Sequence, residues 1–105
     1  MALGSDCMDV EFSDEQWDRL ESELVFTKGF AREIVRSYRK LMQIIRNAPD
    51  ERTFYALKSL HFEKLKGNRE HQRSMRLNNK WRLILEIKPA QPKNIIVVVG
   101  IEDYH

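Results

Sequence analysis

An α+β fold follows from three features of the sequence. Apolar residues recur at helical spacing over residues 30–45, they alternate at strand spacing from residue 60 onward, and Gly, Asn and Pro mark the breaks between segments. The expected architecture is two N-terminal helices packed on a small, mostly antiparallel β-sheet. With 105 residues, one domain is expected over residues 10–105, and residues 1–9 read as an unstructured or expression-derived N-terminus, with Met8 as the alternative start.

The first helix is signalled by Ser13-Asp14-Glu15-Gln16, which matches a capping box with Ser13 as N-cap, and by Phe12 and Trp17 at the staple positions. Trp17, Leu20 and Leu24 share one helical face, and Gly29 is the expected stop. In the second helix Phe30, Ile34, Tyr38, Leu41, Met42 and Ile45 form a core stripe, with Arg32, Arg36, Arg39, Lys40 and Gln43 on the other side. Asn47 and Pro49 end it, and residues 50–59 supply a short third helical turn. Leu60-His61-Phe62 then alternates as a strand would, Gly67-Asn68 makes a turn, and residues 73–77 alternate again. Trp81, Leu83, Leu85 and Ile87 line one face of a further strand. Pro89 and Pro92 bound a loop, and Ile95 to Ile101, apolar on both faces, is an interior strand.

The net charge of +2 conceals an asymmetry. Residues 1–23 carry eight acids against Arg19, and residues 58–82 carry eight bases against Glu63 and Glu70. A block that basic favours phosphate partners, although such a run taken alone is more often an ordinary solvated face. Register sharpens the point. If Asn78-Asn79-Lys80 forms a three-residue hairpin loop, with Asn accepting the left-handed backbone such loops need, Leu77 lies opposite Trp81 and Met75 opposite Leu83, all toward the core. Arg76 then faces Arg82 on the outer side, a like-charge pair that costs about 0.2–1 kcal/mol unless an anion sits between them. His61 joins that pair if Phe62 points inward. The competing outcome is that both arginines splay into water or pair with Glu63 and Glu86.

The sequence ends Glu102-Asp103-Tyr104-His105, directly after the apolar strand. His titrates near neutrality, Tyr donates a hydrogen bond or, with a lowered pKa, accepts a proton, and Asp103 has the chemistry to orient a neighbour, but by itself this segment reads more readily as a polar tail. No phosphate-cradling glycine motif, metal-spaced His/Cys set or nucleophile elbow is present, so neither cofactor nor metal is expected. Cys7 is the single cysteine, there is no apolar run of membrane length and no secretory pattern, so a cytoplasmic protein without membrane contact is expected.

Taken together, Leu60-His61, Leu65-Lys66-Gly67-Asn68-Arg69-Glu70, Ser74-Met75-Arg76-Leu77-Asn78, Trp81-Arg82 and Glu102-Asp103-Tyr104-His105 resemble, in order and spacing, the HigB toxins of the RelE/ParE superfamily. The resemblance covers roughly residues 10–105 and is strongest after residue 60. It implies a metal-free endoribonuclease that cuts mRNA at the ribosome and is silenced by a helix-turn-helix, HigA-like antitoxin. It places His61, Arg82, Asp103, Tyr104 and His105 in the catalytic region, with Tyr104 or His105 moving protons and Arg82 clamping the developing charge. It puts Lys66, with Lys64 sharing its task, and Arg69, Arg73, Arg76 and Lys80 along the RNA backbone. One departure is the insertion-like Phe62-Glu63-Lys64-Leu65, which lengthens the spacing from His61 to Lys66 relative to some relatives. Two other functions compete: a gyrase-inhibiting toxin of the ParE branch on the same fold, and a non-catalytic RNA-binding module.

Overall fold

The computed structural model describes residues 7–103. The chain runs through β1 (Val10–Phe12), α1 (Glu15–Ser22), α2 (Arg32–Asn47), α3 (Arg52–Ala56), β2 (Glu63–Lys64), β3 (Gln72–Arg76), β4 (Trp81–Lys88) and β5 (Ile95–Asp103). The strands form one sheet in the order β1-β5-β4-β3-β2, antiparallel except where β1 runs parallel to β5. This is the α+β class read from the sequence, with the short third helical turn present as α3.

The core lies between the helices and one face of the sheet. Ile34, Tyr38, Leu41, Met42 and Ile45 of α2 and Leu20 of α1 pack with Met75, Leu83, Leu85, Ile96 and Val98 of the strands. Alternation along β3 and β4 sends Ser74, Arg76, Arg82 and Ile84 to the opposite face, because each is one residue out of phase with a core position. Arg76 and Arg82 thereby share the sheet face opposite the helices.

Four local expectations are corrected. Asp14, not Ser13, caps α1, its carboxylate accepting from the Gln16 amide at 2.8 Å. Ser13 instead donates its hydroxyl to the Val99 carbonyl at 3.0 Å and so fastens the start of α1 to β5. Helix α1 stops at Ser22 rather than Gly29 because Arg39 of α2 intervenes. Its guanidinium donates to the Leu20 carbonyl of the last helical turn at 3.0 Å and to the carbonyls of Glu23, Leu24 and Phe26 just beyond it, at 2.6, 3.4 and 3.4 Å. Leu24, expected on the buried face, and Val25 are consequently exposed. Leu60-His61-Phe62 is not a strand. Lys58–Leu60 is a 3-10 turn and His61 reverses the chain in the left-handed region, which buries Leu60 and Phe62 without any extended pairing. Finally, Met8, assigned to the unstructured N-terminus, is buried in the core, and its amide donates to the Ala48 carbonyl at 3.2 Å.

Candidate nucleic-acid cleft

The β3–β4 hairpin holds the register expected for it, with Met75 opposite Leu83 and Arg76 opposite Arg82. The Asn78-Asn79-Lys80 loop closes by a different device. Neither Asn adopts a positive φ; the Asn78 carboxamide oxygen accepts from the amides of Lys80 and Trp81 at 2.8 and 2.9 Å. A side chain thus does the work of a left-handed backbone, as Asx turns do.

The two arginines part company. Arg76 stays exposed, one terminal nitrogen donating to the Asn79 carboxamide oxygen and the other 3.4 Å from His61 Nε2. Arg82 turns inward and is only 8% exposed, which is the fact that most distinguishes this face from a solvated one. Its Nη1 donates to Ser74 Oγ at 3.0 Å and to the His61 carbonyl at 3.4 Å, and lies 3.8 Å from the Glu63 carboxylate. Of the competing outcome, splaying into water is overturned for Arg82, whereas its pairing with Glu63 is what the structure shows. The nearby carboxylate and the divergence of the two side chains offset the like-charge pairing.

His61 is held at φ 49°, ψ 51°. A non-glycine residue there is uncommon, with His among the more tolerant types, and such positions cluster at functional sites. The conformation lets one residue present both its carbonyl to Arg82 and its ring to Arg76. His61, Arg76, Asn78, Asn79 and Arg82 bound a depression of about 250 Å³. Arg82 also lines a second, of about 270 Å³, shared with Leu65, Ser74, Ile84 and Asp103. Within the longer spacing between His61 and Lys66, Leu65 lines the second depression beside Arg82.

Other residues expected at the site are distributed unevenly. Arg69 reaches the second depression, but both its terminal nitrogens are held by Glu102, at 2.9 and 2.7 Å, and that partner raises the guanidinium pKa above its ordinary value. Asp103, at the end of β5, lines the second depression, but its register partner is Trp81, on the core face of β4; the residue opposite Arg82 is Glu102. Lys66 is exposed next to Leu65, and Lys80 is exposed on the hairpin loop. Arg73 and Lys64 are register partners on the face of Met75 and Leu85, so alternation carries them away from Arg82. Arg73 Nη1 donates to the Glu70 carbonyl at 3.0 Å. Tyr104 and His105 lie outside the described residues. Ser74, Asn78 and Asn79 were not singled out from the sequence as lining. For Ser74 the signal was there, two residues before Arg76 on the same strand face.

No family model and no curated protein sequence matches the chain. Several solved structures do. The YoeB/ParE toxin from Agrobacterium tumefaciens superposes with a TM-score of 0.62 at 15% identity, covering 93% of this chain and 100% of that one. YoeB in the YoeB-YefM complex from Staphylococcus aureus gives 0.58 at 19% identity, covering 93% and 97%; the same pair is also described as a heterotetrameric toxin-antitoxin complex. YafQ from E. coli strain BL21(DE3) gives 0.57 at 14% identity, covering 91% and 92%. At these identities the likeness is one of fold, and it extends over almost the whole chain: three helices on a five-stranded, mostly antiparallel sheet, in the arrangement of the RelE/YoeB-like toxins.

Proposed function

We propose that this protein is the toxin of a type II toxin-antitoxin pair, a metal-free endoribonuclease of the HigB kind that cuts mRNA at the ribosome. The observation that carries the reading is Arg82, a buried guanidinium facing a depression that Arg76 and His61 also line. A charge sequestered from water and aimed at a concave surface is worth more to a phosphate than a solvated one.

In the reaction, a ribose 2′-oxygen forms a bond to the adjacent phosphorus and the 5′-oxygen departs, leaving a 2′,3′-cyclic phosphate and a 5′-hydroxyl. A base takes the 2′-hydroxyl proton and an acid gives one to the leaving oxygen. Arg82 and Arg76 donate to the equatorial oxygens as charge builds. Tyr104 and His105 are assigned the proton transfers, with Asp103 orienting them. The chain continues to them from Asp103, and the covalent reach of two residues is about 7 Å. Lys66 and Lys80 would contact flanking phosphates. The partner is an antitoxin of the helix-turn-helix, HigA-like type, a role analogous to that of YefM toward S. aureus YoeB. The cytoplasm is the compartment this substrate requires. Among the described residues no helix is long and apolar enough to cross a membrane.

The test is cleavage of mRNA on programmed ribosomes by the purified protein. Deleting His105 should slow cleavage by at least about 100-fold with folding retained, the ordinary worth of a positioned proton donor or acceptor. Undiminished cleavage would remove His105 from the mechanism. Arrested DNA gyrase with intact RNA would favour the ParE-branch alternative.

A further inference from the structure

Beyond the two depressions at Arg82 lies a third, between α2 and the edge of β3, of about 230 Å³. Its floor is apolar, made by Leu41, Ile44 and Leu77, and its rim is polar, with Ser37 and Lys40 from α2 and Ser59 from the 3-10 turn. Arg76 lines this depression and also the one that holds His61. Arg82 likewise lines both the His61 depression and the one beyond it. Neighbouring depressions therefore share an arginine in their linings.

Resting on the ribonuclease reading above, we infer that the depression between α2 and β3 receives the base of the nucleotide next to the scissile phosphate, so that Ser37, Lys40 and Ser59 help set which base is accepted. The chemistry of the walls matches that of a nucleobase. A base has two apolar π-faces, which suit Leu41, Ile44 and Leu77, and a hydrogen-bonding edge, which suits the serine hydroxyls and the Lys40 ammonium. Position supports it too. A strand whose phosphate lies between Arg76 and Arg82 has one neighbour on each side, and the protein offers one hollow on each side. Arg76 is placed to act twice, its charge toward the phosphate and its planar guanidinium beside the base.

The inference is tested by binding and by cutting. A single-stranded RNA made uncleavable by a 2′-deoxy substitution at the cut site is titrated by fluorescence anisotropy, intact and with an abasic residue at each position in turn. With the wild-type protein, one abasic position adjacent to the cut should weaken binding about 5-fold, the low end of what a base stacked on an aromatic ring contributes, because these walls are aliphatic. In Ser59→Tyr, which fills the hollow, and in Lys40→Ala, which removes a rim charge without touching the core, that sensitivity should fall several-fold. The base distribution at the corresponding side of the cut should broaden when the 5′-ends of cleaved mRNA are sequenced. Lys40→Ala guards against misfolding of the bulkier variant. Wild-type cutting and binding with unchanged base sensitivity in folded Lys40→Ala and Ser59→Tyr would overturn this inference and leave the ribonuclease reading intact. A wild-type protein that neither binds nor cuts RNA would overturn both.

Discussion

Replacing Arg82 tests burial and charge together. Arg82→Ala deletes the donor to Ser74 Oγ and empties volume in a side chain that is 8% exposed, while relieving repulsion from Arg76. The first effects outweigh the last, so urea denaturation should show a net loss of about 1–2 kcal/mol. Arg82→Met, which keeps the stem, should stay within about 1 kcal/mol of wild type, since a buried charge can often be exchanged for an apolar group of similar shape. Both variants should lose mRNA cleavage, and a cleaving Arg82→Met would remove the guanidinium from the mechanism. Alternation in the sequence fixes Arg82 opposite Arg76 but not its burial. The cover comes from His61, Glu63 and Leu65, a segment whose left-handed reversal leaves no periodic trace. Tyr38 presents a second buried polar group, its hydroxyl donating to the Trp17 carbonyl at 2.7 Å. Burial, with the nearby charges of Glu21 and Asp18, raises its pKa well above the ordinary value of 10. Because the folded pKa lies above the unfolded one, the neutral phenol favours the fold fully below pH ~10, and this contribution is lost as pH climbs above that. Tyr38→Phe should cost about 1 kcal/mol at neutral pH by loss of the hydrogen bond, and its melting temperature should fall less steeply on the alkaline side.

Sequence reading missed two short strands, β2 (Glu63–Lys64) and, more instructively, β1. Three residues carry too little alternation to register, and their partner on β5 lies far away along the chain. Pairing with an interior strand, rather than any local preference, makes Val10–Phe12 extended. The long, strongly periodic α2 and the hairpin strands were legible because their own patterns suffice. The end of α1 was not, because the Arg39 side chain that binds the carbonyls at and just beyond it comes from another helix. Helix α1 seats on the sheet at Gly100, where an added Cβ would stand 3.1 Å from the Trp17 ring. Gly100→Ala should be tolerated by a small shift of the indole, whereas Gly100→Leu should cost about 1–3 kcal/mol by overpacking. Thermal melts of the two variants measure the difference; equal losses would mean that backbone conformation, not the Trp17 contact, dictates glycine there.

Across the whole molecule, the basic block of residues 58–82 is less uniform than its composition. Arg69 is neutralised by Glu102, and Arg73 lies on the other face of β3 from Arg82. Fewer cations are available to RNA than the sequence count implies, and the salt dependence of binding measures how many. Arg76→Ala should reduce the slope of log K against log [salt] by about 0.7, one phosphate contact to a single strand. Arg73→Ala should leave the slope unchanged; a comparable reduction would show RNA crossing the sheet edge. The left-handed backbone at position 61 has a consequence for how the sequence can drift. A library at this position, screened for folding alone, should enrich Gly and Asn and deplete Val, Ile and Thr, since only the former adopt φ near +50° cheaply. Folding would thus let histidine be replaced, so a lineage that keeps it there across changes elsewhere is recording selection on the imidazole rather than on the turn.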